Sequence, residues 1–273
     1  MKKNFGIIGS PVNHSLSPVL HNYWFEKYNI DANYSIINIE EENLGDVVEK
    51  IKSNLLDGIN VTLPYKQKII QHVDKIINDA ELTGSVNTLF LNNEGSIVGE
   101  NTDVFGLQAA YLKEIDNASN KKALIIGAGG VSPSVILSLE KSGIKKISIV
   151  NRTKEKCLFL KKKFKFLNVL SWEDVPVEIG KHDIVINATS LGLKNGPDFE
   201  FDFISLNNDT VFIDTIYNPL ETKTYKYLKE RNIKVFNGLD MFIYQGQKSF
   251  YLWNKINPEI DEKLINLLYS KLK

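Results

Sequence analysis

The chain has a single cysteine, Cys157, among its 273 residues. It therefore has no second thiol for an internal disulfide, and no cysteine cluster for a thiolate metal site. Its four histidines are scattered, without the spacing that metal ligands usually have. These absences predict a metal-free protein of a reducing compartment, the cytoplasm.

An excess of charge of one sign is also absent. Lys and Arg together number 33, as do Asp and Glu, so the formal net charge is zero. This balance argues against nucleic acid or an anionic membrane surface as a partner. No apolar run approaches the roughly 20 residues that span a bilayer. The opening MKKNFGIIGS has no signal-peptide cleavage pattern, and we interpret it as a first strand.

The N-terminal part alternates short β-branched runs with helical patterns. Strands are predicted at 5–8, 34–39 and 58–63, with amphipathic segments between them. A hairpin follows, formed by 86–92 and 96–101 around the turn NEG. The β-α-β-α-β order predicts a mainly parallel sheet with flanking helices.

A second series of the same kind begins at ALIIGAGG (123–130), which a helix near 131–142 follows. Four further strands are predicted, at 147–151, 183–188, 210–215 and 233–237. Two helices, at about 240–254 and 259–272, close the chain, and Pro258 is expected in the first turn of the second. The sequence thus predicts two α/β units.

The glycine-rich turn GAGG lies directly between a buried-type strand and a helix. Gly127 and Gly129 allow a sharp turn and a close approach to a pyrophosphate, which the N–H groups of the next helix favour. The third small residue of this fingerprint falls on Ser132, and Pro133 fits the first helical turn. The alternative is a tight strand–helix turn that binds nothing.

The second strand of this series ends in NRTKEK. Asn151 and Arg152 stand where an NAD enzyme has an acidic residue against the ribose 2′-OH. A guanidinium pairs with a 2′-phosphate, which a carboxylate would repel, so NADP is the predicted cofactor. Thr153 and Lys156 add a hydroxyl and a positive charge. The alternative is an ordinary solvated helix start.

Polar side chains gather where elements of the first series end. They are Asn60, Thr62, Lys66, Asn87, Asn101, Thr102 and Asp103. Such a set suits a small polyhydroxylated ligand, and a Lys–Asp pair can transfer the proton that ketone reduction requires. In the second series, Thr189 follows a strand in NATSLG, at the edge where open α/β sheets bind ligands.

Less specific interpretations exist for several of these residues. Lys66 can be an ordinary surface lysine, and Asp103 can be the N-cap of the helix that TDVFGLQAAYL predicts. His14 and His21 are more often packing or helix-end residues than catalysts. Cys157 is expected to pack on a helix.

Taken together, these motifs resemble the shikimate dehydrogenase family over essentially the whole chain. The matching motifs are GSPVNHSLSP, NVTLPYK, GSVNT, NTD, GAGG, NRT, DTIYNPLET and GLDMFIYQGQKSFYLW. The resemblance implies a catalytic pair, Lys66 and Asp103, and a substrate carboxylate held by Ser15 and Ser17. It implies further substrate contacts from Asn60, Thr62, Asn87, Tyr217 and Gln245. It assigns the cofactor to Gly127, Ala128, Gly129, Gly130, Val131, Asn151, Arg152, Thr153, Lys156, Thr189, Thr215 and Gly238. Lys156 stands where many relatives have an adenine-stacking arginine.

The resemblance also implies the domain organisation and the reaction. Residues 1–103 and 238–273 would form the substrate domain, and 104–237 a Rossmann-like NADP-binding domain. The reaction would be the reversible reduction of 3-dehydroshikimate to shikimate by NADPH, in aromatic amino acid biosynthesis, by a monomer or homodimer. Two alternatives stay open: a quinate/shikimate dehydrogenase with broader substrate and cofactor use, and a non-catalytic shikimate sensor of the same fold.

Overall fold

The computed structural model describes residues 2–113 and 115–272. The chain divides into two compact units: unit 1 comprises Met1–Val104 and Ile243–Lys273, and unit 2 comprises Phe105–Phe242. Each unit contains a six-stranded sheet. The predicted class, two α/β units with mostly parallel sheets, is confirmed.

The strands of unit 1 are β1 Lys3–Ile8, β2 Ala32–Ile36, β3 Gly58–Val61, β4 Lys75–Ile76, β5 Thr88–Leu91 and β6 Ile97–Glu100. Their order in the sheet is β2-β1-β3-β5-β6-β4. The pairs β1–β2, β1–β3 and β4–β6 are parallel, whereas β3–β5 and β5–β6 are antiparallel. The antiparallel pair β5–β6 is the hairpin predicted around NEG.

The strands of unit 2 are β7 Lys122–Ile126, β8 Lys146–Val150, β9 Asn168–Val169, β10 Ile184–Asn187, β11 Val211–Asp214 and β12 Lys234–Phe236. They lie in the order β12-β11-β10-β7-β8-β9, and every pair is parallel. Counted within the unit, this is the order 3-2-1-4-5-6 of a dinucleotide-binding fold.

Ten α-helices accompany the strands in the described ranges: α1 Ser17–Lys27, α2 Leu44–Lys52, α3 Asp79–Thr83, α4 Asp103–Leu107, α5 Ser132–Lys141, α6 Lys154–Lys163, α7 Val175–Glu178, α8 Lys223–Glu230, α9 Leu239–Asn254 and α10 Glu262–Leu272. A π-helical turn, Gln108–Leu112, continues α4. The chain passes from unit 1 to unit 2 within α4 and returns within α9. No helix in the described ranges is long and apolar enough to cross a membrane.

The core of unit 1 has an aliphatic side and an aromatic side. Helix α2 buries Leu44, Val47, Val48 and Ile51, the i, i+3, i+4, i+7 stripe of an amphipathic helix. These residues cluster with apolar side chains of β1 and β3. A second group is aromatic and packs around Phe250 of α9, with His21, Trp24, Phe25 and Tyr28 in ring contact with it.

The sheet of unit 2 is covered on both faces, which explains its nearly continuous apolar strands. In β7, Ala123 and Ile125 belong to one core cluster, and Leu124 and Ile126 belong to another. Successive side chains of a strand point to opposite faces, so a strand with both faces buried must be apolar at every position.

The prediction that Pro258 lies in the first turn of the last helix is wrong. Helix α10 begins at Glu262. Asp261 Oδ1 accepts a hydrogen bond from the N–H of Leu264 at 2.8 Å, so Asp261 is the residue that caps this helix. Pro258 precedes the cap, and its carbonyl accepts a hydrogen bond from Gln247 at 2.7 Å.

Candidate active site

Lys66 and Asp103 form an ion pair in unit 1. Lys66 lies in the turns that follow β3, and Asp103 is the first residue of α4. The Lys66 Nζ atom is 2.6 Å from Asp103 Oδ2, and the side chains are only 15% and 7% exposed. Because little water reaches the pair, the attraction is screened weakly and holds the ammonium in place.

Asp103 is not the N-cap of α4, because Asn101 takes that position. Asn101 Oδ1 accepts hydrogen bonds from the N–H groups of Asp103 at 3.0 Å and Val104 at 3.4 Å. The Asp103 carboxylate is thereby left for other partners. Its Oδ1 atom accepts from Asn87 Nδ2 at 2.8 Å, while Oδ2 accepts from Lys66.

The orientation of the Asn87 amide follows from its neighbours. Its Oδ1 atom accepts a hydrogen bond from the backbone N–H of Thr102 at 2.8 Å, so Nδ2 must face Asp103. Gln245 of α9 lies on the same side, with Oε1 3.4 Å from Asn87 Nδ2. The structure therefore brings four of the predicted residues, Lys66, Asn87, Asp103 and Gln245, into one cluster.

Asn60 is buried and adjoins this cluster through the backbone of Asn87. Its Nδ2 atom is 3.0 Å from three acceptors: the Asn87 carbonyl, Thr88 Oγ1 and Ser249 Oγ. Its Oδ1 atom accepts from the Tyr34 hydroxyl at 2.8 Å. Both amide hydrogens are thus engaged, whereas within the described ranges Oδ1 accepts from Tyr34 alone and keeps one lone pair.

Sequence reasoning missed Tyr34 and Ser249. Ser249 Oγ contacts Asn60 at 3.0 Å, Thr88 at 2.8 Å and Thr102 at 3.2 Å. One signal was available, because Ser249 follows Gln245 by four residues and so lies on the same face of a helix. Nothing local marked Tyr34.

The two serines of GSPVNHSLSP contact each other at the start of α1. Ser15 Oγ is 3.1 Å from Ser17 Oγ and also accepts the N–H of Ser17 at 3.2 Å. They follow β1, whereas Thr62 and Lys66 follow β3. These strands are parallel neighbours, so both loops begin at the same edge of the sheet. The N–H of Ser10 donates to the Leu63 carbonyl at 2.9 Å, which joins the two loops.

The glycine-rich loop of unit 2 requires glycine at Gly127. Its φ is +117°, and a Cβ there would lie 2.7 Å from the Ala188 carbonyl oxygen. Ser132 Oγ donates to the Gly127 carbonyl at 3.0 Å, which shows how a serine serves as the third small residue. The N–H of Ala128 donates to Asn151 Oδ1 at 3.2 Å.

The amides beside this turn are suited to an anion. Within residues 2–113 and 115–272, the N–H groups of Gly129 and Gly130 have no acceptor. They precede α5, whose N-terminal end carries partial positive charge. A Cβ on Gly129 would meet only the Ala188 oxygen, 4.0 Å away, so space lies above the loop. These features fit the pyrophosphate of a dinucleotide.

The end of β8 presents cationic and hydroxyl groups to solvent. Arg152, Thr153 and Lys156 are exposed, and in the described part of the chain no side chain bonds to their polar side-chain atoms. Thr153 precedes α6 without capping it. A free guanidinium next to a free hydroxyl fits the 2′-phosphate of NADP.

The remaining cofactor candidates lie at the carboxyl edge of the same sheet. Thr189 Oγ1 donates to Asn187 Oδ1 at 2.7 Å, and Thr215 Oγ1 donates to the Asn187 carbonyl at 2.8 Å. A Cβ on Gly238 would lie 2.2 Å from the Thr215 oxygen, so only glycine allows this approach. Sequence reasoning missed Asn187, although a polar residue ending the apolar strand DIVIN was a usable signal.

Three further residues that the sequence analysis singled out, Tyr217, His21 and Cys157, pack against other side chains or are buried. Tyr217 lies in unit 2, with its ring 4.9 Å from that of Phe242. His21 is fully buried and stacks on Tyr34, with ring centres 4.5 Å apart, so it is a packing residue as expected. Cys157 is buried on α6, and burial raises its pKa to about 11. No three His, Cys, Asp or Glu side chains in the described ranges are grouped as metal ligands would be.

Known proteins of one family match this chain over most of its length. The family model described as the shikimate dehydrogenase substrate binding domain matches residues 7–89, and the model described as shikimate / quinate 5-dehydrogenase matches residues 110–193. A shikimate dehydrogenase (NADP(+)) of Pelagibacter ubique is 42% identical over 268 residues, which are 98% of this chain and 99% of that protein. The chain belongs to the shikimate dehydrogenase family.

Solved structures of the family have the same fold. A shikimate dehydrogenase crystallised in complex with NADP+ is 36% identical, with a TM-score of 0.91 over 100% of this chain and 96% of that chain. The enzyme of Thermus thermophilus in complex with NADP(H) and shikimate is 28% identical, with a TM-score of 0.87 over 99% of this chain and 100% of that chain.

Proposed function

We propose that this chain is an NADP-dependent shikimate dehydrogenase, which reduces 3-dehydroshikimate to shikimate reversibly. The observation that carries the proposal is the largely buried pair of Lys66 and Asp103, held by Asn87 in a chain of this family. A relative named for this NADP-dependent activity shares 42% of its residues with the chain.

The two units take separate parts of this function in the proposal. Unit 1 carries the acid–base pair and most of the substrate residues, and unit 2 carries the cofactor residues together with Tyr217. Within unit 1, Ser15 and Ser17 bind the substrate carboxylate, because two hydroxyls can donate to it without carrying charge. Thr62, Asn87 and Gln245 bind ring hydroxyls, and Asn60 contributes its remaining lone pair.

Lys66 is the proposed proton donor to the carbonyl oxygen of the substrate. When bound, NADPH supplies a hydride to the C3 carbonyl of 3-dehydroshikimate. The oxygen must gain a proton as that carbon is reduced, and an ammonium group is a donor with three hydrogens. Asp103 orients the ammonium through Oδ2, and Asn87 holds the carboxylate by donating a hydrogen bond to Oδ1. In the reverse direction Lys66 accepts the proton from the shikimate hydroxyl.

The cofactor is proposed to lie along the carboxyl edge of the sheet of unit 2. The amides of Gly129, Gly130 and Val131 bind the pyrophosphate, and Arg152 binds the 2′-phosphate with Thr153. Ala128 and Asn151 shape this loop through their hydrogen bond. Gly127, Thr189, Thr215 and Gly238 complete the set, and Lys156 lies toward the adenine.

Absorbance at the reduced-nicotinamide band tests the proposal, with shikimate or quinate crossed against NADP or NAD. Reduction of NADP with shikimate, at a rate far above the other three pairings, is the expected result. Comparable rates with quinate or NAD would instead indicate the broader dehydrogenase. A folded protein that binds shikimate and reduces neither cofactor would indicate the sensor. A cytoplasmic location and a monomeric or homodimeric state stay predictions.

A further inference from the structure

Asp214 is a buried carboxylate at the end of β11, in unit 2. Its Oδ1 atom accepts hydrogen bonds from Asn187 Nδ2 at 3.0 Å and from the N–H of Ile216 at 3.1 Å. Its Oδ2 atom accepts from Thr222 Oγ1 at 2.9 Å. Two of these donors, Ile216 and Thr222, belong to the loop at 215–222. The carboxylate is therefore hydrogen-bonded to both the beginning and the end of that loop.

Asn187 is the matching residue at the end of β10, the neighbouring parallel strand. Its Nδ2 atom donates to Asp214 and, at 3.1 Å, to the Leu191 carbonyl. Its Oδ1 atom accepts the N–H and the hydroxyl of Thr189, at 3.0 and 2.7 Å. Every polar atom of this fully buried side chain is therefore used to hold the loop at 188–192 and to join it to Asp214.

We propose that Asn187 and Asp214 are positioning residues, which hold the loops at 188–192 and 215–222 in the conformation that binds the cofactor. The inference rests on the proposed function, which assigns Thr189 and Thr215 to the cofactor. Neither Asn187 nor Asp214 is assigned a contact with cofactor or substrate. They act through the backbone and the hydroxyls of the two loops.

The chemistry explains why position 214 carries a carboxylate. Three neutral donors converge on it, and only an ionised carboxylate accepts from all of them without presenting a donor of its own. In the described ranges no cation pairs with it, and burial, together with nearby Asp198, raises its pKa to about 6. An asparagine there would keep one acceptor oxygen and turn its NH₂ group toward Thr222 Oγ1, which would then have to accept instead of donate, so the charge-assisted hydrogen bonds would be lost.

The test compares D214N with T210V in the full-length protein. Thr210 is also buried, at the opposite end of β11, and its hydroxyl donates to the His182 carbonyl at 3.2 Å. T210V thus removes a buried hydrogen bond directly before the same strand without touching either loop. Melting temperature, peptide-resolved hydrogen exchange and NADP affinity are measured for both variants and for the unaltered protein.

For D214N we expect faster exchange confined to peptides covering 188–192 and 215–222. We also expect the dissociation constant of NADP to rise about tenfold, which is the change that the loss of one charge-assisted hydrogen bond typically causes. The KM for NADP should change more than kcat. In T210V, the exchange rates of both loops and the NADP affinity should stay within about twofold of those of the unaltered protein, because distant sites that share no partners are nearly independent. Equal effects of the two variants, or a lowered melting temperature with unchanged loop exchange, would overturn the inference.

A second variant keeps the test valid if D214N does not fold. Thr222 also lies beside Gly192 of the first loop and accepts the N–H of Tyr225 as the cap of α8, so T222V is paired with T222S. T222S keeps the hydroxyl, and with it the hydrogen bond to Asp214 and the cap, but loses the methyl group that faces Gly192, whereas T222V keeps the methyl group and loses the hydroxyl. Exchange at 188–192 should be faster in T222V than in T222S. Unchanged exchange there would contradict the proposal. The exchange measurement needs no substrate or cofactor, so it also separates this inference from the proposed function. If the unaltered protein fails to reduce NADP with shikimate, the proposed function is contradicted. The exchange measurement on the two loops still tests the role of Asn187 and Asp214.

Discussion

The Nζ atom of Lys66 lies 2.6 Å from Oδ2 of Asp103, although the two residues are 37 positions apart in the sequence. Three strands, β4, β5 and β6, lie between them along the chain. The sheet brings them together because β5 is hydrogen-bonded to both β3 and β6. Lys66 follows β3 and Asp103 follows β6, and Asn87, directly before β5, bonds to the same carboxylate.

Replacing Lys66 by alanine is expected to lower turnover by about 10²–10⁴, the usual size of a general acid–base contribution. The physical reason is that no other ammonium in the described structure pairs with Asp103. Steady-state rates of NADP reduction with shikimate measure this effect. The matched control is Lys68→Ala, because Lys68 is an exposed lysine whose ion pair is with Glu41. Turnover of the Lys66 variant close to that of the control would remove Lys66 from its proposed role.

Replacing Arg152 by alanine is expected to weaken NADP binding by about 10- to 100-fold and to leave NAD binding nearly unchanged. A hydrogen-bonded guanidinium–phosphate pair is among the stronger polar contacts. NAD has no 2′-phosphate, so its binding does not include this contact and cannot lose it. Titration with both cofactors measures the two affinities. Lys161→Ala, a lysine near the far end of α6, controls for the loss of one positive charge. A parallel loss for NADP and NAD would show that Arg152 does not select the phosphate.

Replacing Lys156 by arginine is expected to tighten NADP binding by about two- to fivefold. Arginine keeps the positive charge and adds a planar group that stacks on an aromatic ring such as adenine. Lys156 is exposed in the first turn of α6, so the longer side chain meets no packing barrier. Lys161→Arg serves as the control. An unchanged affinity would place residue 156 away from the adenine.

Replacing His21 by phenylalanine is expected to maintain or raise stability at neutral pH. His21 is fully buried among aromatic rings, and in the described structure neither ring nitrogen has a hydrogen-bond partner. An apolar ring of similar shape removes two unpaired polar atoms from the interior. Chemical denaturation at pH 7 measures the free energy of unfolding of the two proteins.

The advantage of that variant should grow as the pH falls. Burial lowers the pKa of His21 from 6.5 to about 3. Between pH 6.5 and about pH 3, His21 is protonated in the unfolded chain but neutral in the folded protein. Lowering the pH through this window therefore lowers the free energy of unfolding of the unaltered protein. Between pH 7 and pH 5 the difference in free energy of unfolding should increase by about 2 kcal/mol. A flat difference for His21→Phe would contradict the buried neutral imidazole.

Much of the architecture could be predicted because its signals are local. Apolar strands followed by glycine-rich or polar turns predicted a parallel sheet, and the GAGG turn lies where it was expected, between β7 and α5. The position of Arg152 directly after β8 followed from counting residues beyond that turn. Helix starts were less predictable where two neighbouring residues both favour a helix start, as at Asn101 and Asp103, or at Pro258 and Asp261.

The sequence by itself determined which residue types stand at the ends of the strands, and with them the class of ligand. Only the tertiary structure decided which of these side chains bond to one another and which of them hold a loop. Asn60 and Ser249 are 189 positions apart and yet share a hydrogen bond, and Asn187 and Asp214 meet across two parallel strands. No local pattern encodes such pairs, because each buried polar atom takes the partner that the packing of distant elements brings within reach.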